Sequence, residues 1–371
     1  MDKKTDEWSR IMLELNVYCI EKTPHLSMPV TGLRMLEEQK KVRLSFEIDR
    51  ENRRKFPYAP LLGVYGGGKR ILFDLADGYG TEVEHAQPWV AGQADFVFRR
   101  SFSPKENEKL PPELGKRIHP LGFHFHVSCP KNPIDEVCSW NERKSALFQY
   151  VCNGRPRSFF TLDRFECPPK PCEQPKVLFY TRLWHVPEND ELYENVVRMN
   201  QMRVRLVKEL RKCYGRQFMG GIQFDPKEVV RYGSLMVGIP ETRRMRYLQM
   251  MHMADICIGS TGLHDSIGWK TAEYIAASKA VVNEALCFEV PGNFREGVNY
   301  LSFTSAEECL AQVEYLMADP ECIYEMALAN QTYYRTYVRP DRMMANALKQ
   351  VFPDWEGGKG LYENQRRDTR L

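Results

Sequence analysis

The chain has 371 residues, 43% of them hydrophobic and 27% charged, which suits a soluble globular protein with two sizeable cores. Its net charge of +3 leaves no electrostatic footprint for nucleic acid. No apolar run approaches the ~20 residues of a membrane span, and the opening MDKKTDEWSR lacks the apolar segment of a signal peptide.

In chain order, strands are predicted at 13–19, 42–48, 61–65, 70–75, 94–98 and 116–121. Alternating strands and connections imply an α/β domain over residues 1–165, although its helices are weakly marked. Gly66-Gly67-Gly68-Lys69-Arg70 lies between two strands as a hairpin connection would, and lacks the spacing of a phosphate loop. Residues 166–175 hold four prolines and read as an interdomain linker. Residues 176–338 are more regular: strands at 177–180, 216–224, 234–237, 256–258 and 280–282, with helices at 191–213, 240–253, 269–278 and 305–317. Another helix opens at Asp319-Pro320. The 191–213 helix carries Met199, Met202, Leu206 and Leu210 on one stripe. This alternation argues a doubly wound parallel sheet that binds ligands at the carboxyl ends of its strands. A last helix is predicted at 340–352 within a segment 339–355, and 356–371 reads as a flexible tail.

The eleven cysteines are odd in number and scattered, fitting reduced cytoplasmic thiols. Cys167 and Cys172, with Cys138 and Cys152 upstream, lack the second close pair of a zinc site, so no metal is expected. His124 and His126 fall on one face of an extended segment, again without an evident third ligand.

The stretch 254–285 is the most informative. It reads as strand, turn-rich loop, helix and strand, and the loop 259–268 ends at a helix N-terminus, a position suited to a phosphate or diphosphate. Asp265 and Glu273 are eight positions apart, with Gly268 three after the Asp. The spacing resembles the Glu-x7-Glu signature of retaining, group 1 GT-B glycosyltransferases, with Asp265 in place of the first Glu. The resemblance implies two Rossmann-like doubly wound domains facing a cleft, acceptor on the first, nucleotide-sugar donor on the second, and a last helix crossing back to the first.

It further implies that Asp265 orients the donor sugar and Glu273 the ribose, while Arg182 neutralises the leaving diphosphate. Gly262, Leu263, His264, Gly268, Trp269 and Lys270 form the donor loop, Lys270 being a substitute for the lysine such enzymes place near Arg182. Asp77, His85 and His124 are the acceptor-side candidates, and the general bases to test should the reaction invert. The expected co-substrate is a nucleoside diphosphate sugar and the expected acceptor a hydroxyl of a glycan, a lipid-linked sugar or a protein, with no cofactor or metal. A non-catalytic sugar- or nucleotide-binding protein of the same shape is the rival from another class. The segment 241–247 (ETRRMRY) reads as a solvated helix face, with peripheral contact to an anionic lipid surface as the alternative.

Overall fold

A computed structural model describes residues 12–49, 56–136, 144 and 160–355. The expected positions of Cys138 and Cys152 and the expected tail at 356–371 lie outside the described residues.

The first half is built on a six-stranded sheet. Its strands are β1 (Leu13–Cys19), β2 (Val42–Ile48), β3 (Leu61–Gly66), β4 (Lys69–Asp74), β5 (Phe96–Arg99) and β6 (Ile118–Pro120), in the order β2-β1-β3-β4-β5-β6. The β1–β2, β4–β5 and β5–β6 pairs are parallel, whereas β3 runs antiparallel to both its neighbours. The reversal is made by Gly67 and Gly68, whose φ of +55° and +72° is what a two-residue hairpin requires. Helix α1 (Ser27–Glu38) connects β1 to β2, and α2 (Thr81–Gln93) connects β4 to β5. Both were weakly marked in the sequence because Pro29, Gly32, Pro88 and Gly92 oppose helix propensity. Tertiary packing overrides it: α1 buries Met28, Val30, Leu33 and Leu36 completely.

The second half is an all-parallel, five-stranded sheet. Its strands β7 (Val177–Thr181), β8 (Phe218–Ile222), β9 (Ile256–Gly259), β10 (Ala280–Glu284) and β11 (Leu301–Phe303) stand in the order β11-β10-β9-β7-β8. The chain therefore winds one way from β7 to β8 and the other way from β9 onward. Strands β7 and β9 are buried along their whole length, as central strands covered on both faces must be. The helices are α3 (Tyr193–Tyr214), α4 (Arg244–Met253), α5 (Trp269–Ala276), α6 (Ala306–Ala318), α7 (Pro320–Tyr333) and α8 (Pro340–Val351).

Two predicted elements differ. Residues 234–237 are not a strand: Gly233–Leu235 is a short 3-10 turn, followed by a single bridge between Ile222 and Met236. The helix expected from 240 begins only at Arg244, because Arg243 is extended (φ −65°, ψ 134°) after a 3-10 turn at Ile239–Thr242. Strand β11 was not foreseen, being three residues long.

The result is two α/β lobes facing a cleft, as the resemblance implied. Helix α8 lies against α1 of the first lobe, where a Cβ on Gly32 would stand 2.2 Å from the Pro340 carbonyl oxygen, and Gln39 donates to Asp341 (3.2 Å). The chain at Glu166 is tied to the approach to α8 by the Tyr334 hydroxyl (2.9 Å) and Arg339 Nε (3.1 Å), both donating to its carboxylate. Among the described residues, no helix is long and apolar enough to cross a membrane.

Candidate active site

The chain reverses its winding between β7 and β9, and at the carboxyl ends of these strands the connections diverge and leave a crevice, the usual ligand position in such sheets. A cavity of about 350 Å3 occupies it, within the range of small-molecule sites. Its floor is the end of β7 and the loop 260–268; its second wall comes from the first lobe through His25, Asp77 and Arg100.

Arg182 follows β7 directly and lies over the Trp184 ring, 3.7 Å from its centroid. Burial lowers its pKa, and Asp77 across the cleft opposes that shift. Lys270 is the second residue of α5, and its ammonium stands 5.6 Å and 5.7 Å from the ring centroids of Tyr180 and Tyr247. Desolvation brings its pKa down to about 8; the Glu273 carboxylate opposes this, while Arg244, Arg203 and Arg182 add to it. Arg203 projects from α3, is 4% exposed, and donates to the carbonyls of Arg182 (2.8 Å) and Thr261 (2.7 Å). Burial lowers its pKa to about 10, with Glu284 opposing. None of these three cations is ion-paired with a described carboxylate. Arg203 is buried, Lys270 half-buried and Arg182 at the exposed rim; gathering three like charges there costs electrostatic energy, which an anion entering the cavity would relieve.

Glu273 is 1% exposed and borders the cavity from α5. Arg244 grips both its oxygens, Nη1 reaching Oε2 at 3.3 Å, and the Tyr247 hydroxyl donates to Oε2 at 2.7 Å. A carboxylate offers about four lone-pair positions, so three donors leave room for roughly one more. Arg244 and Tyr247 belong to the 241–247 segment read from sequence as a solvated face. Arg243 and Arg246 are exposed there, but Tyr247 is buried and Arg244 turns inward to Glu273.

Of the other residues singled out by sequence, Gly262, Leu263, Gly268, Trp269 and Asp77 also border the cavity. Asp265, His264, His85 and His124 do not. Asp265 is exposed, and its Oδ1 accepts from Asn195 (3.1 Å); it follows His264 in a left-handed turn, with φ of +56° and +53°. That turn aims His264 at the first lobe, where it fills the space a Cβ would occupy on Gly78 or Gly80. His85 is exposed on α2. His124 is 2% exposed, its Nε2 2.7 Å from the His25 carbonyl oxygen, and burial holds its pKa well below the usual value. Among the described residues, no group of three or more His, Cys, Asp or Glu is placed to hold a metal. Cys167 and Cys172 are free thiols.

Sequence reasoning missed Arg203, Arg100, Arg244, Tyr247 and His25. Arg203 carried a signal: it stands four residues after Met199 on the buried stripe of α3, where a charge has no structural reason to be. Arg100 carried none. It is 3% exposed, pairs with Asp77, and donates from Nη2 to the Ile267 carbonyl (2.7 Å), so its role depends on how the lobes meet.

No family model and no curated protein matches the sequence. Solved structures do resemble it. The C-terminal domain of a glycosyl transferase group 1 family protein, LpcC of Francisella tularensis, is 12% identical and covers 48% of this chain and 97% of its own, with a TM-score of 0.34. Anabaena HepE in complex with UDP and glucose is 11% identical, with coverages of 91% and 99% and a TM-score of 0.39. A glycosyltransferase of Rickettsia africae is 12% identical, with coverages of 89% and 94% and a TM-score of 0.38.

Proposed function

We propose that this protein is a glycosyltransferase that moves a sugar from a nucleoside diphosphate donor to a hydroxyl of a glycan, a lipid-linked sugar or a protein. The observation that carries this reading is the convergence of Arg182, Arg203 and Lys270 on one cavity at the N-terminal end of α5. Fixed cations and a helix N-terminus suit a diphosphate, and they stabilise the charge that grows on it as the glycosidic bond breaks. Glu273, held by Arg244 and Tyr247, has the remaining acceptor capacity for a ribose hydroxyl. The first lobe closes the cavity and would exclude water from the reacting sugar.

Retention of the anomeric configuration was the expectation from the acid pair, of which only Glu273 borders the cavity. Inversion is the second reading, favoured by the titratable first-lobe groups on the opposite wall.

The test is a thermal-shift and hydrolysis screen against UDP, GDP, ADP, CDP, TDP and their common sugars. A nucleotide should raise the melting temperature, Lys270→Ala should abolish most of that rise, and the donor should be slowly hydrolysed. Binding without any turnover would favour a non-catalytic binding protein, and no stabilisation by any nucleotide would remove the donor reading.

A further inference from the structure

A second cavity, also of about 350 Å3, lies at the opposite end of α5 from the first. The two share no bordering residue, and both fall within the range of small-molecule sites. The walls of the second come from Glu166, where the chain leaves the first lobe, from Ser278 just past α5, and from Gln331, Tyr334, Arg335 and Arg339 between α7 and α8.

Two unusual backbone features meet at this cavity. Ser278 has φ of +52°, the left-handed region in which a helix usually ends on glycine, so its side chain is held there under strain. Tyr334–Val338 is a π-helical turn, a form that occurs mostly at functional sites.

The polar groups around it are unequally used. Glu166 Oε1 accepts from the Tyr334 hydroxyl (2.9 Å) and from Arg339 Nε (3.1 Å). Arg339 Nη1 is held by both oxygens of Asp341 (2.8 Å each), which Arg342 also approaches at 4.0 Å. Arg339 Nη2 is left uncommitted. Arg335 is ion-paired with no described carboxylate, and neither the Gln331 amide nor the Ser278 hydroxyl is hydrogen-bonded within the described residues. Ser278 is nonetheless 4% exposed, and a hydroxyl so enclosed normally has a partner. The Glu273, Tyr274 and Ile275 carbonyls at that end of α5 already accept from the amides of Ala277, Lys279 and Ser278, which lessens the repulsion a helix C-terminus offers an anion.

We propose that this cavity is a second ligand site, for a small hydroxylated phosphate of the sugar-phosphate class. Arg335, Arg339 Nη2 and the Ser278 hydroxyl supply donors for the phosphate, a match of guanidinium and oxyanion. The open oxygen of Glu166 and the Gln331 amide serve the ligand's hydroxyls, and the volume exceeds what a phosphate alone would fill. A ligand there braces the joint between the lobes. The site does not depend on the glycosyltransferase reading.

The experiment titrates the full chain calorimetrically with glucose 6-phosphate, glucose 1-phosphate, fructose 6-phosphate and ribose 5-phosphate, with inorganic phosphate as the control. At least one sugar phosphate should bind one-to-one, raise the melting temperature, and bind about tenfold more tightly than inorganic phosphate. The donor cavity is cationic too, so each titration is repeated in Lys270→Ala, where the affinity should be unchanged. Arg335→Ala should weaken binding by about tenfold or more. Ser278→Gly removes the hydroxyl and the strain together: the unliganded protein should melt no lower than wild type, while affinity falls by about fivefold or more. Binding of none of the sugar phosphates, loss of binding in Lys270→Ala, or an affinity within about twofold of wild type in either cavity variant would each overturn the proposal. Inorganic phosphate binding as tightly as the sugar phosphates would leave an adventitious ion only and overturn it as well. The nucleotide screen above is read separately, so either reading can fail without the other.

Discussion

At the scale of single residues, the cavity is defined by charges the fold keeps partly desolvated. Lys270 shows the consequence most directly. The fold lowers its pKa from 10.5 to about 8, so its positive charge is present below that pH and lost above it. Affinity for a nucleoside diphosphate should accordingly weaken as pH rises past about 8, by about tenfold per pH unit at the steepest, as isothermal titration calorimetry would show. Lys270→Arg should bind across the same range without that fall. The sign for folding is opposite: the unfolded chain holds this proton more readily, so the unliganded protein gains stability between about 8 and 10.5. Glu273 calls for care of a different kind. Removing its carboxylate leaves Arg244 without a counter-charge and the buried Tyr247 hydroxyl without an acceptor. Glu273→Ala should cost about 3 kcal/mol in urea denaturation, and lost nucleotide binding in that variant would not isolate a ribose contact. Glu273→Gln, which keeps an acceptor oxygen, is expected to lose less stability and is the variant in which affinity can be compared.

At the scale of elements, local signals placed the second lobe well. Ser305 caps α6 by accepting from the Glu308 amide (3.2 Å), and Asp319 caps α7 by accepting from Glu321 (3.1 Å) and Cys322 (3.3 Å). Both caps were readable as short-range patterns because capping involves residues within three positions of each other. Ser305→Ala should lower stability by ~1 kcal/mol, measurable as a shift in the denaturation midpoint without a change of slope, and should leave nucleotide affinity unchanged since α6 does not border the cavity. The first lobe was harder because its helices contradict their own propensities. Helix α1 holds Pro29 and Gly32, and Gly32 is there for packing: its missing side chain lets the Pro340 carbonyl approach. The same dependence on partners explains 241–247. Its charge pattern reads as a solvated face, but two of its seven residues are taken inward by a carboxylate on another helix.

At the scale of the molecule, two of the contacts that help set how the lobes meet are packed against glycines. One is α8 against α1 through Gly32; the other is the turn at His264 against Gly78 and Gly80. Gly32→Ala should cost about 1–3 kcal/mol by overpacking, seen as a lower melting temperature with or without nucleotide. Gly78 has φ of +60°, and a Cβ there would come within 2.3 Å of the His264 carbonyl oxygen. Gly78→Ala should therefore displace the rim that carries Asp77, and lower turnover more than donor affinity, because the cations lie on the other wall.

The sequence by itself determined the α/β class, the glycine hairpin, most strand positions and the loop-helix at 259–276, since each follows from periodicity or turn chemistry within a few residues. It also placed Asp265 and Glu273 eight positions apart, but spacing does not set direction. Two consecutive left-handed residues turn Asp265 to solvent, while the helix carries Glu273 inward to Arg244. The tertiary structure alone decided that Arg203 reaches the cavity from α3, and that His25, Asp77 and Arg100 close it from the first lobe. His25, Asp77 and Arg100 lie about 160 to 240 positions from the loop they face, and no local pattern encodes a meeting that depends on how two sheets dock.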